Sequence, residues 1–154
     1  AIKAHCPVNS AIVRTSWVYS SHGNNFVKTM LRLMAEKEQL NVVSDQIGCP
    51  TDAKGLAQFL WQLAAQEMLD PIYHYSDLGV ASWYDFAVAI QEIAYEQAKL
   101  TKKIPIKPIP SSDYPTPAVR PKYNVMDKAF KVNTLPEQNL IHWREQLRNM
   151  MLAL

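Results

Sequence analysis

Residues 11–34 read AIVRTSWVYSSHGNNFVKTMLRLM, and this stretch decides the fold class. Its opening, Ala11 to Thr15, is a compact run with branched apolar residues, which suits a short strand. The polar, aromatic stretch Ser16-Trp17-Val18-Tyr19 then empties the strand into a loop. From Phe26 onward the apolar residues Phe26, Val27, Met30, Leu31 and Met34 recur at helical spacing, and Asn24 or Asn25 stands where a side-chain oxygen caps the first turn. A helix of about three turns is expected to follow the loop.

The same alternation continues outward. Leu40 to Val43 reads as a strand, Gly48-Cys49-Pro50-Thr51 forbids its continuation, and Thr51 offers an N-cap oxygen to a helix whose apolar face is Leu56, Phe59, Leu60, Leu63 and Ala64. Ile72 to Ser76 is strand-like, and Ser82 with Asp85 resembles a capping box opening a helix with Phe86, Ile90 and Ile93 inward. Strand, helix, strand, helix, strand, helix is the order of an α/β layer architecture with at least some parallel strands. Between Ile104 and Pro121, where six of the ten prolines fall, an extended, stiff connection is expected. Leu140, Trp143, Leu147, Met150 and Met151 pattern a C-terminal amphipathic helix.

The 154 residues suit one ordinary domain, and 48% hydrophobic with 19% charged residues supply a real core. A formal charge of +2 is far from the dense basic character of a phosphate-tracking nucleic-acid binder. No run approaches the roughly 20 apolar residues of a membrane span, and no signal-peptide zones open the chain. Cys6 and Cys49 form no CxxC pair, so the reading favours neither a zinc site nor a disulfide framework and points to a reducing cytoplasm. The glycines, Gly23, Gly48, Gly55 and Gly79, cannot make a GxGxxG or a GxxxxGK[ST] loop. The chain begins at Ala1 in Ala-Ile-Lys-Ala-His-Cys, which reads like the last turn of a helix, and a piece of a longer protein is expected.

Tyr95 and Lys99 stand four apart on an expected helix, the spacing that sets a tyrosine acid beside a lysine. The pair is common by chance, Lys99 suits a helix C-terminus, and no cofactor loop serves it, so a structural reading is favoured. The four histidines have no partner at metal-ligand spacing, and His74 inside a strand reads as structural. Lys102, Lys103 and Lys107 read as solvated surface. Binding-type residues are dense in three segments instead. These are Trp17 to Phe26 on a strand-to-helix connection, the polar turn Asp45 to Thr51, and Arg120, a planar fork of donors held by prolines and suited to phosphate. Together they describe a site for a polar ligand bearing phosphate and rings.

Ordered blocks then carry a family resemblance. Arg14-Thr-Ser-Trp-Val-Tyr19, Asn25-Phe26, Val42-Val-Ser-Asp-Gln46 with Gly48 and Pro50-Thr51, Tyr73-His-Tyr-Ser-Asp77, Ser82-Trp-Tyr-Asp-Phe-Ala87 and Ala118-Val-Arg-Pro121 resemble the C-terminal part of the dTDP-4-dehydrorhamnose reductases, which are extended short-chain dehydrogenase/reductases. The resemblance implies an α/β fold comprising the last strands of a Rossmann-like sheet and the small substrate-binding lobe. It implies that residues 1–154 are the substrate-binding C-terminal portion, with the NAD(P)-binding part, its Gly-rich loop and the catalytic Tyr-x-x-x-Lys N-terminal to Ala1. Tyr95 and Lys99 are then a decoy.

By the same resemblance, Trp17 packs against the sugar, Asn25 lies near the diphosphate, and Arg120 contacts diphosphate or nucleotide. Gln46, Pro50 and Thr51 belong to a turn that shapes the pocket. The implied reaction converts dTDP-4-dehydro-L-rhamnose to dTDP-L-rhamnose with NADPH or NADH, within a cytoplasmic protein that can form a homodimer. Magnesium between subunits is a family feature that maps onto no residue of this chain. Cys49 stands where a small residue is usual, and Gly55 where an acidic one is typical, the glycine costing up to about 1 kcal/mol of helix stability.

Two alternatives stand beside this reading: a non-catalytic regulatory or scaffold homologue, and a sister nucleotide-sugar reductase or epimerase. The chain alone is expected to be inactive. Strands Ala11–Thr15 and Ile72–Ser76 are expected to lie in a sheet whose other strands belong to the part N-terminal to Ala1, leaving exposed edges and apolar faces. The chain is then expected either to self-associate or to be marginally stable, while the helices bearing Phe59, Phe86 and Trp143 pack together around their own small core.

Overall fold

The computed structural model describes residues 5, 10–118, 120–127 and 140–154. The helical reading of the first six residues, and Cys6 with it, lie outside the described residues except at His5. Among the described residues the elements run β1 (Ile12–Arg14), β2 (Val18–Tyr19), α1 (Phe26–Glu36), β3 (Leu40–Val43), β4 (Ile47–Gly48), β5 (Thr51–Asp52) and α2 (Ala53–Ala64). They continue with β6 (Ile72–His74), β7 (Ala81–Ser82), α3 (Trp83–Glu96), β8 (Ile106–Ile109), a 3-10 turn (Ser111–Asp113), β9 (Tyr123–Asn124) and α4 (Trp143–Leu152). This is the α/β architecture expected. No described helix is long and apolar enough to cross a membrane.

Side-chain caps start three of the four described helices, with His142 Nδ1 accepting the Arg144 amide at 3.2 Å before α4. Asn25 has extended backbone and its side chain accepts the Lys28 amide at 3.2 Å, a cap worth about 1 kcal/mol. Ser82 and Asp85 form the reciprocal capping box read from the sequence. Helix α2 begins one residue later than the Thr51 cap reading requires. Thr51 is in β5, its hydroxyl donates to the Cys49 carbonyl at 3.3 Å, and Asp52 occupies the cap position.

Helix α3 is the centre of the main core. Phe86, Ala87, Ala89, Ile90, Ile93 and Ala94 are buried on it, against Val27, Met30 and Met34 of α1 and Leu147 and Met151 of α4. Phe86 meets Trp143 edge-on, with ring centroids 5.7 Å apart. Phe59 does not join them. It packs with Leu63, Tyr73 and Tyr75 in a second cluster on β6, because α2 faces the β1–β6 pair. Leu60 points outward, at 44% exposure, contrary to the apolar face read from its spacing.

The strands form four small sheets among the described residues. Strands β1 and β6 share a sheet as expected, and they are direct neighbours in it, paired in parallel with Ile12 opposite Ile72 and Arg14 opposite His74. Strand β3 does not join that pair. It pairs in parallel with β8, Leu40 opposite Ile106 and Val43 opposite Ile109. The proline-rich segment therefore contains a strand where only an extended connection is expected. Pro108 fits inside the strand because the bonds to β3 are made at alternate residues, Leu40 donating to the Pro105 carbonyl and Ser44 to that of Ile109, so the missing Pro108 N–H falls on the unpaired side, while Pro105 precedes the strand.

Gly55 is explained by packing rather than helix propensity. A Cβ there would stand 2.5 Å from the Tyr75 hydroxyl oxygen and 3.6 Å from the ring carbon bearing it. Gly55→Ala is expected to lower the unfolding free energy by about 1–3 kcal/mol despite better helix propensity. Adding Tyr75→Phe removes the clashing oxygen and should restore stability in urea titrations of both variants; a Gly55→Ala protein more stable than the parent would refute the packing account.

Tyr19 and Tyr75 are both buried beside Asp77 and Asp52. Burial first, and then the nearby carboxylates, push both phenols well above the ordinary tyrosine range. Because the folded state keeps its protons while the unfolded chain ionises near pH 10, their contribution is intact below about pH 10 and is lost as pH rises beyond it. Thermal midpoints should fall steeply on the alkaline side, and Tyr75→Phe should flatten that fall. An unchanged slope in the variant would count against the assignment.

Candidate functional site

Two indole rings mark one wall of the site. Trp17 has a left-handed backbone, φ 48°, a conformation that costs a non-glycine residue roughly 1–2 kcal/mol. The neighbouring backbone holds it there. Ser16 donates its hydroxyl to the Cys49 carbonyl at 2.7 Å, and the Thr51 amide donates to the Trp17 carbonyl at 3.2 Å. The Trp17 ring stacks on Trp83 at 3.6 Å with planes 11° apart, and Phe26 leans on Trp83 at 4.6 Å. Gly48 provides the room, since a Cβ there would stand 2.5 Å from the Trp17 indole.

Beside this wall lies a cleft of about 480 Å³. Its floor is apolar, formed by Phe26, Met30 and Leu33 of α1 with Leu40 and Val42 of β3. Gln46, Thr116, Tyr114 and Arg120 supply polar groups, and Trp83 closes one side. Gln46 ties the parts together: its carbonyl accepts the Trp83 indole N–H at 3.2 Å, and its amide donates to the Ser111 hydroxyl at 3.1 Å. Next to it, Asp45 is held below the usual carboxylate range by the Ser111 hydroxyl, with the Ser111 amide and Lys122 assisting. Arg120 is exposed, and none of the ion pairs among the described residues engages it. An apolar slot with a free guanidinium at its rim accommodates a planar or aliphatic ring attached to an anionic group.

The residues singled out from the sequence land in different places. Gln46 and Arg120 line the cleft. Trp17 stands behind Trp83, half-buried. Asn25 caps α1 and donates its amide to the Ser20 carbonyl at 2.7 Å, at the end of the helix whose first turn borders the cleft. Pro50 and Thr51 are buried beneath the Trp17 backbone. Tyr95 and Lys99 do not share a helix face: α3 stops at Glu96, Ala98 turns left-handed at φ 56°, and the Tyr95 ring lies under the Lys103 ammonium at 5.1 Å. His74 meets the Asp127 carbonyl at 3.2 Å, in keeping with a structural role. No group of three His, Cys, Asp or Glu side chains among the described residues is placed to hold a metal ion.

Trp83, Tyr114 and Thr116 were not legible as cleft residues. Trp83 enters the sequence reading inside a capped helix and a family-like block, with no site role, and Tyr114 and Thr116 lie in a segment whose fold back over β3 depends on the unanticipated β8.

The family model described as RmlD substrate binding domain matches residues 1–154. The chain is 40% identical over 147 residues to a dTDP-4-dehydrorhamnose reductase of Aggregatibacter actinomycetemcomitans, covering 92% of this chain and 49% of that protein. It is 41% identical over 145 residues to the spore coat polysaccharide biosynthesis protein SpsK of Bacillus subtilis, covering 93% and 47%. Among solved structures, a dTDP-4-dehydrorhamnose reductase ortholog from Clostridium acetobutylicum superposes with TM-score 0.85 at 34% identity, over 99% of this chain and 51% of that one. The reductase of Bacillus anthracis in complex with NADP gives TM-score 0.79 at 36% identity, over 92% and 47%. The chain thus spans about half the length of these relatives, on their C-terminal portion. A match over every residue, in the matching fold, means that the chain belongs to the substrate-binding domain family of the dTDP-4-dehydrorhamnose reductases.

Proposed function

We propose that this chain is the C-terminal, substrate-binding portion of a dTDP-4-dehydrorhamnose reductase, binding a dTDP-linked deoxysugar so that its C4 ketone is presented for reduction to dTDP-L-rhamnose by NAD(P)H. The carrying observation is the cleft itself, with an apolar slot between α1 and β3 and the free Arg120 fork at its rim. On this reading Arg120 takes a diphosphate oxygen and the Trp17–Trp83 stack offers an indole face to the sugar. Asn25, Gln46, Pro50 and Thr51 hold the surrounding backbone and rings in register. The contribution is orientation: a ketone held in one pose reacts without first losing rotational freedom. The names of the relatives support this reading, and the bound NADP of the Bacillus anthracis reductase supports NADP(H) as its reductant.

The residues present do not fit a dinucleotide pyrophosphate. The glycines at positions 23, 48, 55 and 79 have no fingerprint spacing, and no chemical step is assigned to a cofactor within this chain. We place the NAD(P)-binding part and the proton donor N-terminal to Ala1, and residues 1–154 alone are expected to show no ketosugar reduction.

Calorimetric titration with dTDP, dTDP-L-rhamnose and free L-rhamnose tests the reading. Both nucleotides should bind and the free sugar should not. Arg120→Ala should weaken both nucleotides by roughly tenfold to a hundredfold, the scale of a charge-assisted hydrogen bond. Trp17→Ala should weaken dTDP-L-rhamnose while leaving dTDP unchanged. If the unsubstituted chain binds neither nucleotide, or Arg120→Ala binds both as well as the parent, the proposal fails.

A further inference from the structure

Between Ser111 and Lys122 the chain leaves β8, carries Tyr114, Thr116 and Arg120 to the cleft, and returns to β9. Both feet of this loop stand on one carboxylate. Asp45 Oδ1 accepts the Ser111 amide at 2.8 Å and the Ser111 hydroxyl, and Asp45 Oδ2 pairs with the Lys122 ammonium at 3.3 Å. Backbone bonds repeat the arrangement on either side: Ser44 donates to the Ile109 carbonyl at 2.9 Å and Ile47 to the Lys122 carbonyl at 2.8 Å. The turn that carries Asp45 also carries Gln46, which reaches the same Ser111 hydroxyl.

We infer that Asp45 is a positioning residue: it does not touch the nucleotide sugar but sets where Arg120 stands by clamping both ends of the loop that bears it. The inference rests on the proposed binding of a nucleoside diphosphate in this cleft. The two halves of the clamp differ in weight. Lys122 is 76% exposed, so its ion pair is screened and contributes little. The Ser111 contacts are partly buried and directional, with two donors converging on one oxygen. Proline supplies the stiffness between the feet, at Pro115, Pro117 and Pro121. Feet fixed at both ends leave the backbone around Arg120 few alternative placements, so binding has to order the arginine side chain but little of the chain that carries it. Asn in place of Asp45 keeps an acceptor oxygen for both Ser111 donors, and loses the weak pair with Lys122 and the charge assistance of the Ser111 bonds.

The test is a double-mutant cycle on the full chain, read by dTDP affinity, with amide hydrogen exchange at Ser111 as a second readout. Asp45→Ala should weaken dTDP by roughly tenfold and speed exchange at Ser111. Asp45→Asn should recover most of both. Because Asp45 acts through Arg120, Asp45→Ala placed on Arg120→Ala should produce almost no further loss, a non-additivity that a general loss of stability would not produce. Additive losses, or faster exchange with unchanged affinity, would overturn the inference, and so would unchanged exchange at Ser111. If the unsubstituted chain binds no dTDP, it is the proposed function that fails, and exchange at Ser111 still decides whether Asp45 clamps the loop.

Discussion

Burial of helix α3 on several sides is the constraint on which the rest of the structure depends. Seven of its residues are buried, and it touches α1, α4, β3, β7 and β8. A helix surrounded in this way needs its ends satisfied without solvent, and the Ser82–Asp85 box does this at the N-terminus. The capped end fixes the first helical residue, Trp83, in place and direction. The Trp17 stack, the Gln46 hydrogen bond and one side of the cleft all meet on that residue.

The site then exchanges local strain for rigidity. Trp17 is held in a left-handed conformation that the chain would not choose, and Gly48 must stay small for the ring to lie flat. Buried hydrogen bonds from Ser16 and Thr51 to the facing strand, together with the parallel stack on Trp83, are strong enough collectively to oppose a penalty of roughly 1–2 kcal/mol. Cys49 enters as a backbone partner of Ser16: its carbonyl accepts and its amide donates to the same hydroxyl. Its buried thiol is a small packing group.

Elements whose signal is local were readable from residue order. The caps of α1 and α3, the existence of strands β1 and β6 and the C-terminal helix follow from spacing, side-chain oxygens and branched apolar runs, all of which act within a few residues. What escaped depends on contacts between distant residues. Strand β8 exists because β3 offers it a free edge, a fact absent from the Pro-rich sequence itself. The second core escaped for the same reason, since nothing near Phe59 states that α2 faces β6 rather than α3. Gly55 read as a weak helix residue, whereas its cause is a tyrosine hydroxyl twenty residues away. In the site, Arg120 and Gln46 were visible as residue types, and their meeting in one cleft became visible only through the β3–β8 pairing.

The two cores meet across polar rather than apolar groups. The Asp52 amide donates to Asp77 at 2.9 Å, and both Tyr19 of the cluster on α3 and Tyr75 of the cluster on β6 lie within electrostatic reach of these two acids, so a seam of buried acids and phenols runs between the clusters. Burial lifts the Asp52 carboxyl above its ordinary range, while the amides of Gly55 and Lys54 at the start of α2 draw it back. Apolar surfaces slide with little penalty, but a buried donor displaced from its acceptor loses its full compensation. The seam therefore makes the register between the cores discrete. It is also what carries the placement of β5 to β2 and hence to Trp17: Asp52 is fixed to Asp77, Thr51 precedes it in the strand, and the Thr51 amide holds the Trp17 carbonyl.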